Sequence, residues 1–232
     1  MSSAARTPAG APVDAAVRAT VDADGWYGPA LRYDSPNVDA RPDGVAIELL
    51  VIHNISLPGG QFGLPHIADL FTNRVDFTAH ASFADLRGLR VSSHFLVRRN
   101  GRVIQFASTC ARAWHAGVSQ FEGREQCNDF SIGVEMEGSD FVPFAPAQYA
   151  ALATLTAALQ ARHPLRAVLG HEHVAPGRKT DPGPHFDWIF YRAALAKMAH
   201  QAPADGAMLV PAHPALTFPT GPAVVKPAHQ KK

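Results

Sequence analysis

The chain predicts a single α/β domain, a mixed central β-sheet flanked by helices in three layers. Three observations carry that expectation. Apolar, β-rich runs are interleaved with segments of helical spacing. Two apolar runs meet across Asn100-Gly101, a strong signal for an antiparallel hairpin. The run from Ser131 to Glu137 alternates cleanly, with Ile132, Val134 and Met136 on one face and Glu135 and Glu137 on the other. A hairpin inside such a chain makes the sheet mixed rather than purely parallel.

In order, residues 1–22 are rich in Ala, Pro, Ser and Thr without a clear period and read as a disordered extension. Residues 23–201 are sized for one domain. Ala46 to Ile52 is nearly continuous apolar sequence, expected to form a strand buried on both faces, with His53 and Asn54 at its end. Pro65 suits the first turn of a short helix carrying Ile67, Leu70 and Phe71 on one side. Ser93 to Arg98 and Arg102 to Ala107 are the hairpin strands. Tyr149, Leu152, Leu155 and Leu159 space a helix that runs to His163 and stops before Pro164. Ala167 to Leu169 is a short strand. A last helix follows Pro184, with Ile189, Phe190, Ala193, Ala194 and Met198 as its apolar stripe. Residues 202–232 form a Pro/Ala-rich tail, expected to be disordered.

Composition narrows the function classes. The 232 residues carry 21 basic and 20 acidic side chains, a net charge of +1, so no general field attracts nucleic acid or an anionic membrane. Two cysteines, Cys110 and Cys127, cannot build a disulfide framework or a thiolate zinc site unaided. No apolar run approaches a membrane span, and the N-terminus lacks the pattern of a secretory signal. The expectation is a soluble, cytoplasmic protein. Twelve histidines lean towards metal or proton-transfer chemistry.

That chemistry gathers between Gly170 and Trp188, in GHEHVAPGRKTDPGPHFDW. Pro176-Gly177 and Pro182-Gly183-Pro184 forbid a regular helix or central strand, so His171, His173, Lys179 and Asp181 sit on a loop of fixed shape. Zinc hydrolases use three protein ligands and leave the fourth position to water. His53 at a strand end, one loop histidine and Asp181 meet that requirement. No HExxH or CxxC spacing is present, and residue chemistry alone does not choose between His171 and His173. His94 and His115 are rival ligands better suited to core or supporting roles.

Three blocks, LLVIHNISLPGGQFG, RAWHAGVSQFEGREQCNDFSIGVEMEG and GHEHVAPGRKTDPGPHFDW, resemble in order the signatures of the AmpD-type N-acetylmuramoyl-L-alanine amidases. That group is related to phage amidase-type lysozymes and peptidoglycan recognition proteins. The resemblance runs from about Gly25 to Arg192. It implies that fold, and Zn2+ held by His53, His171 and Asp181. It implies Glu135 as the group that activates the attacking water, with Lys179 stabilising the oxyanion. Asn54, Arg90, Trp114 and Arg124 fall in matching blocks and are expected along the substrate groove. Where the family carries an arginine shortly before Cys127, this chain has Gln126.

On residue chemistry alone, each position also has a plainer reading: a strand-end histidine, an Asx-turn capping the last helix for Asp181, a solvated loop lysine. Glu137 reads as a solvated strand glutamate. The resemblance implies hydrolysis of the lactyl-amide bond of (1,6-anhydro-)muropeptides in cytoplasmic recycling, an activity that also lowers the inducer of β-lactamase expression. The partner is a small-molecule muropeptide, and the chain is expected to act as a monomer. Three alternatives stand beside this: an amidase acting on intact wall outside the cytoplasm, a non-catalytic peptidoglycan-binding module, and a closed structural zinc site with His173 as fourth ligand.

Overall fold

A computed structural model of the chain describes residues 19–199 and 215–220. The strands are β1 (Leu31–Arg32), β2 (Val38–Ala40), β3 (Leu49–Ile55), β4 (Phe95–Val97), β5 (Val103–Gln105), β6 (Ala111–Ala113), β7 (Gln120–Phe121), β8 (Arg124–Glu125), β9 (Ser131–Glu137) and β10 (Ala167–Gly170). The helices are α1 (His66–Phe71), α2 (Pro146–Arg162), α3 (His171–Val174) and α4 (Trp188–Ala199). Six strands form the main sheet in the order β1-β5-β4-β9-β3-β10. Only the β4–β5 pair in it is antiparallel, so the sheet is mixed, as expected.

The hairpin turns where Asn100-Gly101 placed it. Gly101 N–H donates to the Arg98 carbonyl at 2.8 Å, and Arg98 N–H to the Arg102 carbonyl at 2.9 Å. Gly101 adopts φ +82°, and a Cβ there would meet the Ala147 carbonyl. Glycine is needed for both reasons.

Alternation on the strands builds the layers. Leu50 and Ile52, Phe95 and Val97, Ile132, Val134 and Met136, and Val168 point to one side. There they meet Tyr149, Leu152, Leu155 and Leu159 of α2. Proline in the first turn and Gln148, whose Oε1 accepts Ala145 N–H at 3.0 Å, start that helix. Gln148 Nε2 also donates to the Val97 and Glu137 carbonyls, tying the helix start to the ends of β4 and β9. Truncating a buried leucine such as Leu152 would cost about 2–5 kcal/mol. The opposite side carries two smaller clusters. Leu96 and Ile104 pack under α1 with Phe71, Phe83 and Phe106, and Leu49 and Val51 pack with Cys127, Phe130 and Val174.

Four expectations shift. The first long strand begins at Leu49 rather than Ala46 and extends through His53 and Asn54. Glu137 is buried rather than solvated, because β9 lies between β3 and β4. Its carboxylate accepts from Arg98 Nη1 at 2.7 Å and from the backbone N–H groups of Gly63 and Arg99. On α4, Ile189 and Phe190 are exposed, and the inward face is Trp188, Tyr191, Leu195 and Met198, alongside Ala194. Tyr191 Oη lies 2.7 Å from Thr156 Oγ1 of α2, which anchors that face.

The fourth concerns the tails. Val21 bridges Tyr27 inside the expected 1–22 extension. Within the expected 202–232 tail, Thr217 pairs along β10: Val168 N–H donates to its carbonyl, and its own N–H donates to Arg166, both at 2.9 Å. The other parts of both extensions, residues 1–18, 200–214 and 221–232, lie outside the described residues.

Candidate metal and catalytic site

Parallel pairing sets the site. In the β3–β9 register His53 stands beside Glu135, and in the β3–β10 register Gly170 stands beside Ile52. The chain leaves β10 at Gly170 and turns at once into α3, so His171 emerges next to the end of β3. The following loop returns Asp181 to the same place, where Glu172 N–H donates to its backbone carbonyl at 2.8 Å.

Three donor atoms converge. His53 Nδ1 and His171 Nδ1 are 2.9 Å apart, and each is 3.0 Å from Asp181 Oδ2. Both rings are almost fully buried and the carboxylate is mostly so. The spacing is close to the ~3.3 Å that bonds of about 2.0–2.1 Å to a tetrahedral ion impose. His171 Nε2 faces the Ala116 carbonyl at 2.9 Å. That oxygen can only accept, so Nε2 carries the proton and Nδ1 offers a lone pair. Two imidazoles and a carboxylate facing one point suit a divalent cation, and zinc in particular.

The electrostatics agree with a cation-ready pocket. His53 is pushed down to about 4, first by burial and then by His171, so it is neutral and able to ligate near pH 7. Burial alone would raise Asp181, but hydrogen bonds to His171 and His53 hold it well below the usual carboxylate range. Glu135 is pushed well above its ordinary value, first by burial and then by the Asp181 charge, with Lys179 opposing. Its Oε2 is buried without a hydrogen-bond partner among the described residues. Such an oxygen is expensive to keep and marks a place where a ligand or water belongs.

The structure separates residues the sequence left equivalent. His173 turns away: its Nδ1 accepts Gly170 N–H at 3.1 Å and its ring meets Trp188 edge-on. A fourth ligand from His173 is therefore not formed. Asp187, not Asp181, caps α4, accepting Phe190 N–H at 2.8 Å. His94 accepts Gly133 N–H and lies 3.1 Å from the Ala111 carbonyl, away from the triangle. His115 stands outside it too, with Nδ1 3.0 Å from His53 Nε2.

The expected groove residues divide. Trp114 is half-buried, with its indole N–H lacking a partner among the described residues. Arg90 is exposed. Asn54 is committed to the site's framework, donating to Asp140 Oδ1 at 2.7 Å and to the Pro182 carbonyl at 3.0 Å. Arg124 pairs with Glu48 at 2.9 Å and stacks over Phe130 at 4.0 Å. Glu48 precedes β3 by one residue, roughly 16 Å along the strand from His53. Gln126 is exposed in a left-handed conformation just after β8, which pairs antiparallel with β7.

Two contributors escaped sequence reasoning. Asp140 accepts from Asn54 and, through Oδ2, from Thr180 at 2.6 Å, joining the end of β3 to the ligand loop. Arg178 donates to the Ala116 and Val118 carbonyls from the same loop. Neither has a spacing signal; an arginine two residues before the Thr-Asp pair was the only hint.

The N-acetylmuramoyl-L-alanine amidase family model matches residues 43–184. The chain is 51% identical over 180 residues to the 1,6-anhydro-N-acetylmuramyl-L-alanine amidase AmpD of Citrobacter freundii, covering 77% of this chain and 96% of that one. It is also 51% identical to the Escherichia coli K12 enzyme of that name over 175 residues, 75% and 96% of the two chains. A crystal structure of a selenomethionine AmpD derivative superposes with a TM-score of 0.72 at 51% identity, over 74% of this chain and 97% of the other. The converged His53, His171 and Asp181 thus stand within a chain that belongs to the N-acetylmuramoyl-L-alanine amidase family.

Proposed function

We propose that this chain is a zinc-dependent amidase that hydrolyses the amide between the lactyl group of (1,6-anhydro-)N-acetylmuramic acid and L-alanine of muropeptides, as a monomer in cytoplasmic peptidoglycan recycling. The observation that carries the reading is the unpartnered, buried Glu135 oxygen beside the triangle of His53, His171 and Asp181. The relatives' names, which specify the anhydro sugar, support the substrate.

Zinc held by His53, His171 and Asp181 would supply Lewis acidity and bring the pKa of water towards neutrality. Glu135 takes the proton of the attacking water as its oxygen bonds to the amide carbon. It then returns a proton to the leaving L-alanine nitrogen as the C–N bond breaks. Its burial keeps its basicity high enough for that exchange. Lys179, whose charge acts on both Glu135 and His53, offsets negative charge developing on the carbonyl oxygen. Trp114 and Arg90 contact substrate in this reading, while Asn54 holds the ligand loop in place.

The test offers zinc-loaded protein an anhydro-muropeptide and an intact one and identifies products by mass. Free stem peptide released from the anhydro form is the expected result. No cleavage of either substrate sinks the assignment, and equal cleavage of both sinks its restriction to recycling.

A further inference from the structure

Neither His115 nor Ser131 has a role in the reaction above, yet both are buried on the polar face of β9, in line with Glu135. Ser131, Gly133 and Glu135 share that face by alternation. The His115 ring lies flat over the middle position. A Cβ on Gly133 would stand 2.5 Å from His115 Cγ and 2.6 Å from Nδ1, so only glycine leaves room for it. The ring's two nitrogens then reach both ways. Nε2 is 3.2 Å from Ser131 Oγ and Nδ1 is 3.0 Å from His53 Nε2.

The direction of each hydrogen bond follows from the far end. Ser131 Oγ faces the Cys127 carbonyl at 2.5 Å, and a carbonyl can only accept, so the hydroxyl proton goes there. The hydroxyl oxygen is left as an acceptor, and His115 Nε2 must donate to it. Among the described residues the ring's nitrogens face only Ser131 Oγ and His53 Nε2, so with Nε2–H given to Ser131 the neutral ring offers Nδ1 as a lone pair. His53 Nε2 then donates to that lone pair. One proton remains for the His53 ring, and it is used; Nδ1 is left bare, towards His171 and Asp181.

We infer that His115 is a positioning residue that fixes the tautomer of His53, through the chain Cys127 carbonyl, Ser131 hydroxyl, His115 and His53 Nε2, so that Nδ1 is held ready to ligate. The inference rests on the metal-binding reading of the triangle. The next residue does the same for the other ligand: the Ala116 carbonyl accepts from His171 Nε2 at 2.9 Å. Arg178 Nη2 donates to the same oxygen at 2.6 Å and fixes its place. Consecutive residues of one turn, His115 and Ala116, thus set both imidazoles. Without them each ring has two tautomers, and only one presents Nδ1 unprotonated.

Two measurements test this. In wild-type protein with 15N-labelled histidine, zinc-loaded and metal-free at pH 8, His115 should show Nε2–H with bare Nδ1. A coupling through the hydrogen bond should link His53 Nε2 to His115 Nδ1. A proton on His115 Nδ1, or the absence of that coupling in both forms, overturns the inference without any variant having to fold. Second, zinc affinity is measured by chelator competition. His115→Phe keeps a ring but has no acceptor, and is expected to weaken zinc binding by about 10–100-fold. His115→Asn puts Oδ1 where Nδ1 was and should restore affinity to within a few-fold of wild type. Equal weakening in both variants assigns His115 to packing alone and overturns the inference, as does unchanged affinity in His115→Phe. Wild-type protein that binds no zinc sinks the metal reading instead, and the tautomer measurement still decides the hydrogen-bond chain.

Discussion

Glu135 and Glu137 lie two residues apart on one face of one strand, and both are buried, yet they are opposites. Glu137 is saturated by an arginine and two backbone N–H groups. Glu135 has an oxygen with no partner among the described residues and an elevated affinity for protons. The pair teaches that burial alone does not leave a carboxylate open to a ligand or a proton; missing partners do. A satisfied carboxylate belongs to the architecture, here locking β9 to the β4 end and to the loop at Gly63. An unsatisfied one is available for chemistry.

Substitutions can break that contrast. Glu135→Gln should lower turnover by up to about 10⁴-fold while leaving the melting temperature unchanged or higher. A protein that keeps near-full turnover would remove Glu135 from the reaction. Glu137→Ala should do the reverse. It strands the mostly buried Arg98 and costs about 3 kcal/mol or more, read as a shift in denaturant midpoint. If it unfolds no more easily than wild type, the saturated role is wrong. Lys179→Ala should slow turnover by about 10²-fold with normal zinc content, since it acts on developing charge and not on the metal; loss of zinc would contradict that. Separate alanine changes sharpen the ligand set: His171→Ala should lose zinc and His173→Ala should keep it.

The smallest effect is on stability against pH in the metal-free protein. His163 is pushed down to about 4 by burial, then by Arg162 and Arg41, and His94 to about 3 by burial, then by Arg41. A pKa below its unfolded value of 6.5 stabilises the fold above pH 6.5, and that stability is lost as pH falls through the depressed values. Glu135 has the opposite sign. Its raised pKa gives a contribution present below about pH 4.5 and lost as pH rises through the folded value. The melting temperature of Glu135→Gln should therefore exceed that of wild type by a margin that widens above pH 5. Parallel curves there would show that Glu135 titrates normally.

Much of this was legible in the sequence, for reasons that also explain the gaps. Alternation from Ser131 to Glu137 assigned the two faces correctly, because the strand period depends on backbone geometry alone. It could not say what covers each face, so Glu137 read as solvated until β4 and the Gly63 loop were seen against it. His53 at a strand end was legible as a candidate ligand position, and the structure places it with His171 and Asp181. The choice of His171 over His173 was not legible, since both sit in one helical turn and only the direction of leaving β10 separates them. On α4, Trp188, Ile189, Phe190 and Tyr191 are four apolar residues in a row, so spacing could not choose the inward face. The choice lay with Thr156, far away on α2. The pairing of Arg124 with Glu48 was not legible for a similar reason: a matching block fixes the order of residues, not which end of a strand they reach.

The short segment at Thr217 carries one more consequence. β10 is the last strand of the main sheet, and its outer hydrogen-bonding groups would otherwise be open. Thr217 takes up the Val168 N–H and the Arg166 carbonyl at the start of that edge, and Phe218 packs the segment against Tyr191, with ring centroids 5.9 Å apart. An open edge of that kind recruits other chains. A chain ended at residue 214 should therefore self-associate, visible as concentration-dependent growth in light scattering. Because β10 runs directly into His171, the segment at Thr217 also braces the strand that delivers this histidine to the site.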